Sequence, residues 1–386
     1  MKRKTNYALL AMALCILLFG GCKKNELKDI TSTNNRLKQE GIKIDELKEM
    51  LTLSAITMRY HEGAREKETK DLLAQKDLAT KGNWDLIWYA DNNMLSAQIM
   101  IVKHHYLPNT YAIVPKGQKQ NNVFSLYQGF NVLGHKEFTW VPPGQKPLYF
   151  ASGAHQIADA MFNLKADSPN FNLHDAKVSD MIKAMINNWD KNSPITIYVA
   201  GHSLGGANAS MLGVYIHTAL SSIPNIPDKK VNLRIFNYAG PNLFEQDFAD
   251  YYNNLRNDQH INVFEQAVVI RGDVVSNYFP QAFDQMVEEQ NYNSVMKVTV
   301  KGMVGAFNLA LKASGEKFIP LGFESDGSRM YLINKQDPKK FELDGKISTP
   351  KEWINTYLYN HLPNNYLATV GAPEVPHLEH NEPWQN

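Results

Sequence analysis

The run Ile195-Thr196-Ile197-Tyr198-Val199-Ala200, passing directly into Gly201-His202-Ser203-Leu204-Gly205-Gly206, restricts the fold more than any other part of the chain. Its first six residues are apolar or β-branched, as in a strand buried within a sheet. From Ala207 to Ser221 the apolar residues recur at helical spacing. A strand and a helix joined this abruptly need a sharp, strained bend, and Ser203 stands at it with its hydroxyl forced outward. Glycines at 201 and 205 let the two elements approach, and the small residues Ala207, Ala209 and Ser210 keep the helix close to the sheet. The N–H of Leu204, at the positive end of that helix, is aimed at negative charge developing beside Ser203. A bare G-x-S-x-G arises by chance in roughly one chain in ten of this length, so the weight falls on the strand before it and the small residues after it. The competing reading, a phosphate-cradling turn, wants a Lys or more glycine ahead of the helix, and neither is present.

A serine so placed becomes a nucleophile only with a base and an orienting acid, which in this kind of architecture follow it in the order Ser, Asp or Glu, His. Val231 to Tyr238 reads as the next strand, closing at Ala239-Gly240-Pro241, and Ile261 to Ile270 as the one after. Asp273 sits at the end of the latter, behind Arg271-Gly272, and is the best-placed acid; closing the strand as an Asx turn is its bland alternative. Glu265 is inside the strand, and Asp247, Asp250 and Asp258 fall on a helix and its loop. Among the histidines, His202 is in the bend and His217 on the helix behind it, so neither can turn back onto Ser203. His260 precedes Asp273, and His377 and His380 lie in a polar stretch where solvated histidines are usual and a metal-binding reading is weak. His361, between a helical stretch at Pro350 to Tyr359 and Leu362-Pro363, is the expected base.

The chain's 386 residues carry 40 Lys and Arg against 39 Asp and Glu, a near balance that conceals a processed leader. Lys2, Arg3 and Lys4 precede an apolar run from Tyr7 to Phe19, and Gly20-Gly21 stand before Cys22. That order is an export signal, its apolar run too short for the roughly 20 residues a membrane-crossing helix needs. Removing residues 1–21 leaves 37 bases against 39 acids and a single cysteine, so no internal disulfide is expected. No Lys/Arg-rich run is interleaved with aromatics, which argues against nucleic acid as a partner. Residues 22–42 read as a polar tether, 43–370 as one α/β domain and 371–386 as a surface tail. Within the domain, Leu47, Met50, Leu51, Leu53, Ser54 and Met58 predict a helix from Ile42 to about His61. Strands are expected at Trp84–Tyr89, Ala97–Val102 and Tyr111–Val114, and a helix at Gln156–Leu164. The apolar segment Met303 to Leu311 reads as core helix, with a lid or acyl pocket as the alternative.

Two resemblances sharpen these readings. Phe19-Gly20-Gly21-Cys22 resembles the lipobox of bacterial lipoproteins, which implies cleavage before Cys22, acyl chains on that cysteine, and an exported protein anchored to a bacterial membrane, the outer membrane above all. Gly201 to Ala207 reproduces the GHSLGG-A elbow of the class 3 lipase family, and Asp273-Val274-Val275 with Pro280 is similar to that family's acid segment. Phe236 to Pro241 looks like the strand and turn before it, and Tyr366 follows His361 as a Tyr follows the family's histidine. The resemblance covers about residues 45–370. It implies an α/β-hydrolase fold, a mostly parallel central sheet with helices on both faces, and a Ser203-Asp273-His361 triad cleaving acyl esters, acylglycerols or related lipids, with neither metal nor organic cofactor. The oxyanion donors implied are the N–H of Leu204 and of Gln118. Lys116-Gly117-Gln118 departs there from the family's R-G-T or R-G-S, and Ser152-Gly153-Ala154 is a rival alignment. A weakly catalytic or inactive lipid-binding protein on the same scaffold is the alternative reading.

Overall fold

The computed structural model describes residues 43–58, 65–92, 97–117, 134–142, 144–223, 230–270, 273–277, 313, 317–321, 329–332 and 361–376. Cys22, Gln118, His377, His380 and the segments at 303–311 and 350–359 lie outside the described residues.

β-branched and aromatic runs build a seven-stranded sheet: β1 (Trp84–Asn92), β2 (Ala97–His104), β3 (Thr110–Pro115), β8 (Ile195–His202), β9 (Val231–Tyr238), β10 (Ile261–Ile270) and β11 (Arg329–Leu332), in the order β1-β2-β3-β8-β9-β10-β11. β1–β2 and β2–β3 pair antiparallel, and the four pairs from β3 to β11 are parallel. The expected mostly parallel sheet is therefore present, with an antiparallel edge. Two small sheets, β4–β5 (His135–Phe138 with Leu148–Ala151) and β6–β7 (Ala166–Ser168 with Leu173–Ala176), escape the sequence reading, because strands of three or four partly charged residues carry too little periodicity.

Alternation along the central strands sends side chains to two separate cores. Ile195, Ile197 and Val199 of β8 and Val231, Leu233 and Ile235 of β9 enter one, with α3 (Ser152–Phe162), α4 (Val178–Asn187), α5 (Leu204–Ser221) and α6 (Gln246–Asn254). Ala200, Phe236 and Tyr238 enter the other, with α1 (Ile44–Thr57), α2 (Arg65–Leu73) and α8 (Pro363–Val370); α7 is the short helix Val274–Asn277. Helices thus cover both faces, the arrangement that buries a parallel sheet. The α3 helix begins at Ser152, four residues earlier than the apolar spacing indicated.

The predicted first helix holds Leu47, Met50, Leu51, Leu53 and Ser54 fully buried. Its direction is set by its partners. Arg234 of β9 pairs with Glu46 at 2.6 Å while stacking over Phe264 at 4.2 Å, and Trp84 at the start of β1 donates its indole N–H to Glu49 at 2.8 Å. At the other end, Met58 lies against Gly117, just past β3. So α1 enters at the edge where the parallel strands begin and leaves at the edge where they end.

One domain boundary moves. Residues 371–376 do not start a surface tail: Val375 is fully buried, and it exchanges hydrogen bonds with the Asn364 side chain, N–H to Oδ1 at 3.1 Å and Nδ2 to C=O at 3.3 Å. Gly371, at φ 70°, ends α8 in the left-handed conformation that glycine adopts freely and turns the chain back onto the core.

Candidate active site

β8 continues through His202 and α5 begins at Leu204, so a single residue makes the bend. Ser203 has φ 60° and ψ −132°, a conformation costing a non-glycine residue about 1–3 kcal/mol. Neighbouring strands hold it there. The Ser203 N–H donates to the Tyr238 carbonyl at 2.9 Å, and the Ser203 carbonyl accepts from the N–H of Gly206 at 2.8 Å. The two glycines act differently from one another. A Cβ on Gly201 would strike the Gly205 carbonyl, so this glycine lets strand and helix close up. A Cβ on Gly205 would sit 2.6 Å from the Pro115 carbonyl and 2.7 Å from the Gly117 nitrogen, so that glycine admits the end of β3 instead. At the end of β9, Asn237 accepts from the Gly240 N–H at 3.0 Å and donates to Ser210 of α5 at 3.2 Å, tying turn and helix together.

The acid and base come from elsewhere. Asp273 follows β10 and is fully buried; its Oδ1 accepts the N–H of Val275 at 2.9 Å, so the Asx turn exists and the same carboxylate still faces the site. His361, 2% exposed, places Nδ1 3.0 Å from Asp273 Oδ2 and Nε2 2.7 Å from Ser203 Oγ. With its proton on Nδ1, held by the carboxylate, the ring offers Nε2 as acceptor to the serine hydroxyl. Ser203 retains 8% exposure, the most of the three.

A fourth group, Tyr366, whose role its position in the sequence does not reveal, completes the arrangement. The Tyr366 hydroxyl donates to Asp273 Oδ2 at 2.6 Å and accepts the N–H of Ile270 at 2.9 Å. Burial, then the adjoining carboxylate, push this phenol well above its ordinary value, so it keeps its proton and acts as a donor. Its spacing of five residues from His361 was the available signal: α8 turns the chain so that both face one carboxylate. The ring of Tyr366 also stands edge-on to His202, 5.4 Å between centroids, and His202 lies 5.0 Å from His361.

Leu204 is the first residue of α5, where no preceding carbonyl takes its N–H, and it adjoins Ser203. Lys116 and Gly117 reach the bend, since a Cβ on Gly117 would lie 2.6 Å from the His202 carbonyl, whereas Ser152 opens α3. Gln118 follows directly but is outside the described residues. None of the rival acids faces Ser203. Glu265 pairs with Arg256 at 2.8 Å, Asp258 lies 3.1 Å from His217, and Asp247 and Asp250 are exposed on α6.

Residues 133–283 match the family model for lipase (class 3). That segment is similar to the class 3 lipase family. It contains Ser203, Leu204 and Asp273 but stops short of His361, which the fold returns to the site from 158 residues away. The chain is similar to the crystal structure of M37 lipase, with a TM-score of 0.60 and 16% identity over 83% of this chain and 92% of that one. It is also similar to the Rhizomucor miehei lipase in its propeptide complex (TM-score 0.41, 19% identity, 62% of this chain and 64% of that one) and to lipase II from Rhizopus niveus (0.42, 17%, 62% and 76%). The fold is that of the α/β-hydrolases. No curated protein matches the chain.

Proposed function

We propose that this class 3 lipase-like chain is a serine hydrolase of carboxylic esters, acting on acylglycerols or related lipids, exported and held at a bacterial membrane by acyl chains on Cys22. The observation that carries the enzymatic reading is the unbroken relay from Ser203 Oγ through His361 to a buried Asp273, 2.7 Å and 3.0 Å long. Ser203 Oγ attacks the ester carbonyl carbon while His361 Nε2 takes its proton, and Asp273 stabilises the imidazolium that forms. The tetrahedral oxyanion is received by the N–H of Leu204 and, in this reading, of Gln118. Collapse breaks the acyl C–O bond; the departing alcohol takes the proton from Nε2 and leaves an acyl-serine. Water, deprotonated by the same imidazole, releases the fatty acid and restores Ser203. The whole sequence is proton transfer and acyl transfer, and it needs no redox partner.

Ser203→Ala tests the proposal: hydrolysis of a short p-nitrophenyl ester and labelling by a fluorophosphonate should both vanish while the thermal midpoint is kept. Undiminished turnover in that variant overturns it. A panel of esters with graded acyl length then defines the acyl preference.

A further inference from the structure

Among the described residues, the large apolar side chains that stand exposed are Tyr106, at 71%, and Leu107, at 52%. Scattered single exposed apolar residues need no explanation, but these two are adjacent and share one turn, His104 to Asn109, between β2 and β3. The turn cannot shift easily. The buried His104 ring accepts the N–H groups of Tyr106 and Leu107 at 3.1 and 3.0 Å. The His105 N–H donates to the Asn83 carbonyl at 2.7 Å, and Asn109 donates to Ser193 at 2.8 Å. A rigid tip therefore presents a phenol and an isobutyl group to solvent.

Its location is the second observation. Because β3 and β8 are parallel, with Thr110 opposite Thr196, the tip lies at the edge where the strands begin, roughly 20–25 Å from Ser203 at the far end of β8. The second turn of α1 reaches that same edge, where Glu49 accepts the Trp84 indole N–H, and Trp84 packs edge-on against His104 at 4.9 Å. Charge agrees with position. Lys81 and Lys103 are exposed on the same side; of the acids there, Asp85 lies 3.0 Å from His105, and Glu49, which interacts with Lys81, accepts from Trp84. Tyr beside Leu, flanked by lysines, is chemistry suited to the boundary between anionic headgroups and acyl chains.

We infer that the Tyr106–Leu107 tip is a second, non-covalent membrane contact: it seats the strand-start edge of the domain on an anionic bilayer and turns the Ser203 edge away from it. Among the described residues no helix is long and apolar enough to cross a membrane, so the contact is interfacial. The inference rests on the lipoprotein reading only for which bilayer lies beside the tip; the contact itself needs no acyl chain and no esterase activity.

The test uses the mature chain from residue 22 onward with Cys22→Ser, which cannot be acylated, sedimented with vesicles of phosphatidylglycerol and phosphatidylethanolamine or of phosphatidylcholine alone. The expected result is binding to the anionic vesicles, weakened by salt, and a loss of roughly tenfold in the Tyr106→Ser/Leu107→Ser double variant at unchanged thermal midpoint. Lys81→Glu/Lys103→Glu should weaken binding to anionic vesicles as well. The inference is overturned if the Cys22→Ser chain binds neither vesicle, if the double variant binds as well as its parent, or if the tip instead mediates self-association, seen as a dimer that the double variant abolishes. Ester hydrolysis measured in parallel keeps the two proposals apart, since an inactive chain that still binds vesicles leaves the tip's role standing.

Discussion

Two histidine–aspartate pairs stand at opposite edges of this sheet with nearly the same length, 3.0 Å for His361–Asp273 and 3.1 Å for His217–Asp258. They differ in what lies beyond the ring. His361 uses Nδ1 toward its carboxylate and presents Nε2 to Ser203. His217 spends Nε2 on Asp258, and its buried Nδ1 has no hydrogen-bond partner among the described residues. The carboxylates differ too. Asp273 accepts from the Tyr366 phenol and the Val275 N–H, at the strand ends where α5 begins. Asp258 is held by the N–H groups of His260 and Ile261, both at 2.7 Å, where α5 ends and β10 begins. One pair continues to the hydroxyl of Ser203; the other staples a helix end to a strand start. A short His–Asp distance alone therefore identifies no chemistry, and the third group decides.

The largest effect should fall on one pair alone. Asp273→Asn or His361→Ala should lower kcat/KM for a short ester by roughly 10⁴-fold, while His217→Ala leaves it within about twofold, as steady-state kinetics on folded variants would read. A comparable loss at His217 would erase the distinction. Next, Tyr366→Phe removes a donor from Asp273 and leaves the Ile270 N–H without its acceptor, so kcat/KM should fall roughly tenfold, with KM little changed. Wild-type kinetics in Tyr366→Phe would make the phenol a packing element only.

Third, His217→Ala should cost about 1–2 kcal/mol of stability in urea unfolding, by removing a side chain that spans α5 and the start of β10. The smallest effect is in pH. Burial pulls the His217 imidazole below its ordinary value, outweighing Asp258, which pulls it up. The unfolded chain then binds the extra proton more readily, so this residue's share of stability is complete above about pH 6.5 and declines as pH falls below that value. For Asp258, burial opposes ionisation, but the two backbone donors and His217 prevail and hold its carboxyl below the ordinary value. Its contribution is present above about pH 4 and lost as pH falls further. Thermal midpoints of the wild type and His217→Gln across pH 5–8 should converge toward the acid end; parallel curves would contradict this.

Much of this arrangement could be read before any coordinates, for a definite reason. The bend at Ser203 is local chemistry, needing a buried strand, small residues and a helix start within a dozen positions, and such demands leave a mark in the sequence. Asp273 and His361 followed from the order of elements along the chain. The elements that escaped depend on partners distant in sequence. Tyr366 meets Asp273 across 93 residues, Val375 joins the core while bound by Asn364, and β4–β5 and β6–β7 pair outside the central sheet, with Phe150 of β5 also bridging Phe244. The apolar run of the strand stops at Ala200 and the helical spacing begins at Ala207, yet β8 runs on to His202 and α5 starts at Leu204. Glycines lower local propensity there, while tertiary contacts on both sides extend each element to the single pivot residue.

The distance along the chain between Ser203 and His361 also sets an order in time. At synthesis rates of about 5–20 residues per second, the nucleophile precedes its base by roughly 8–32 s. During that interval the bend can be shaped by β3, β8 and β9, but the hydroxyl has no proton acceptor. A polypeptide that meets lipid while still being made would therefore be inert toward it. On the proposed mechanism, its reactivity appears only when His361 folds back onto Ser203, so the later-made base sets when the nucleophile becomes active.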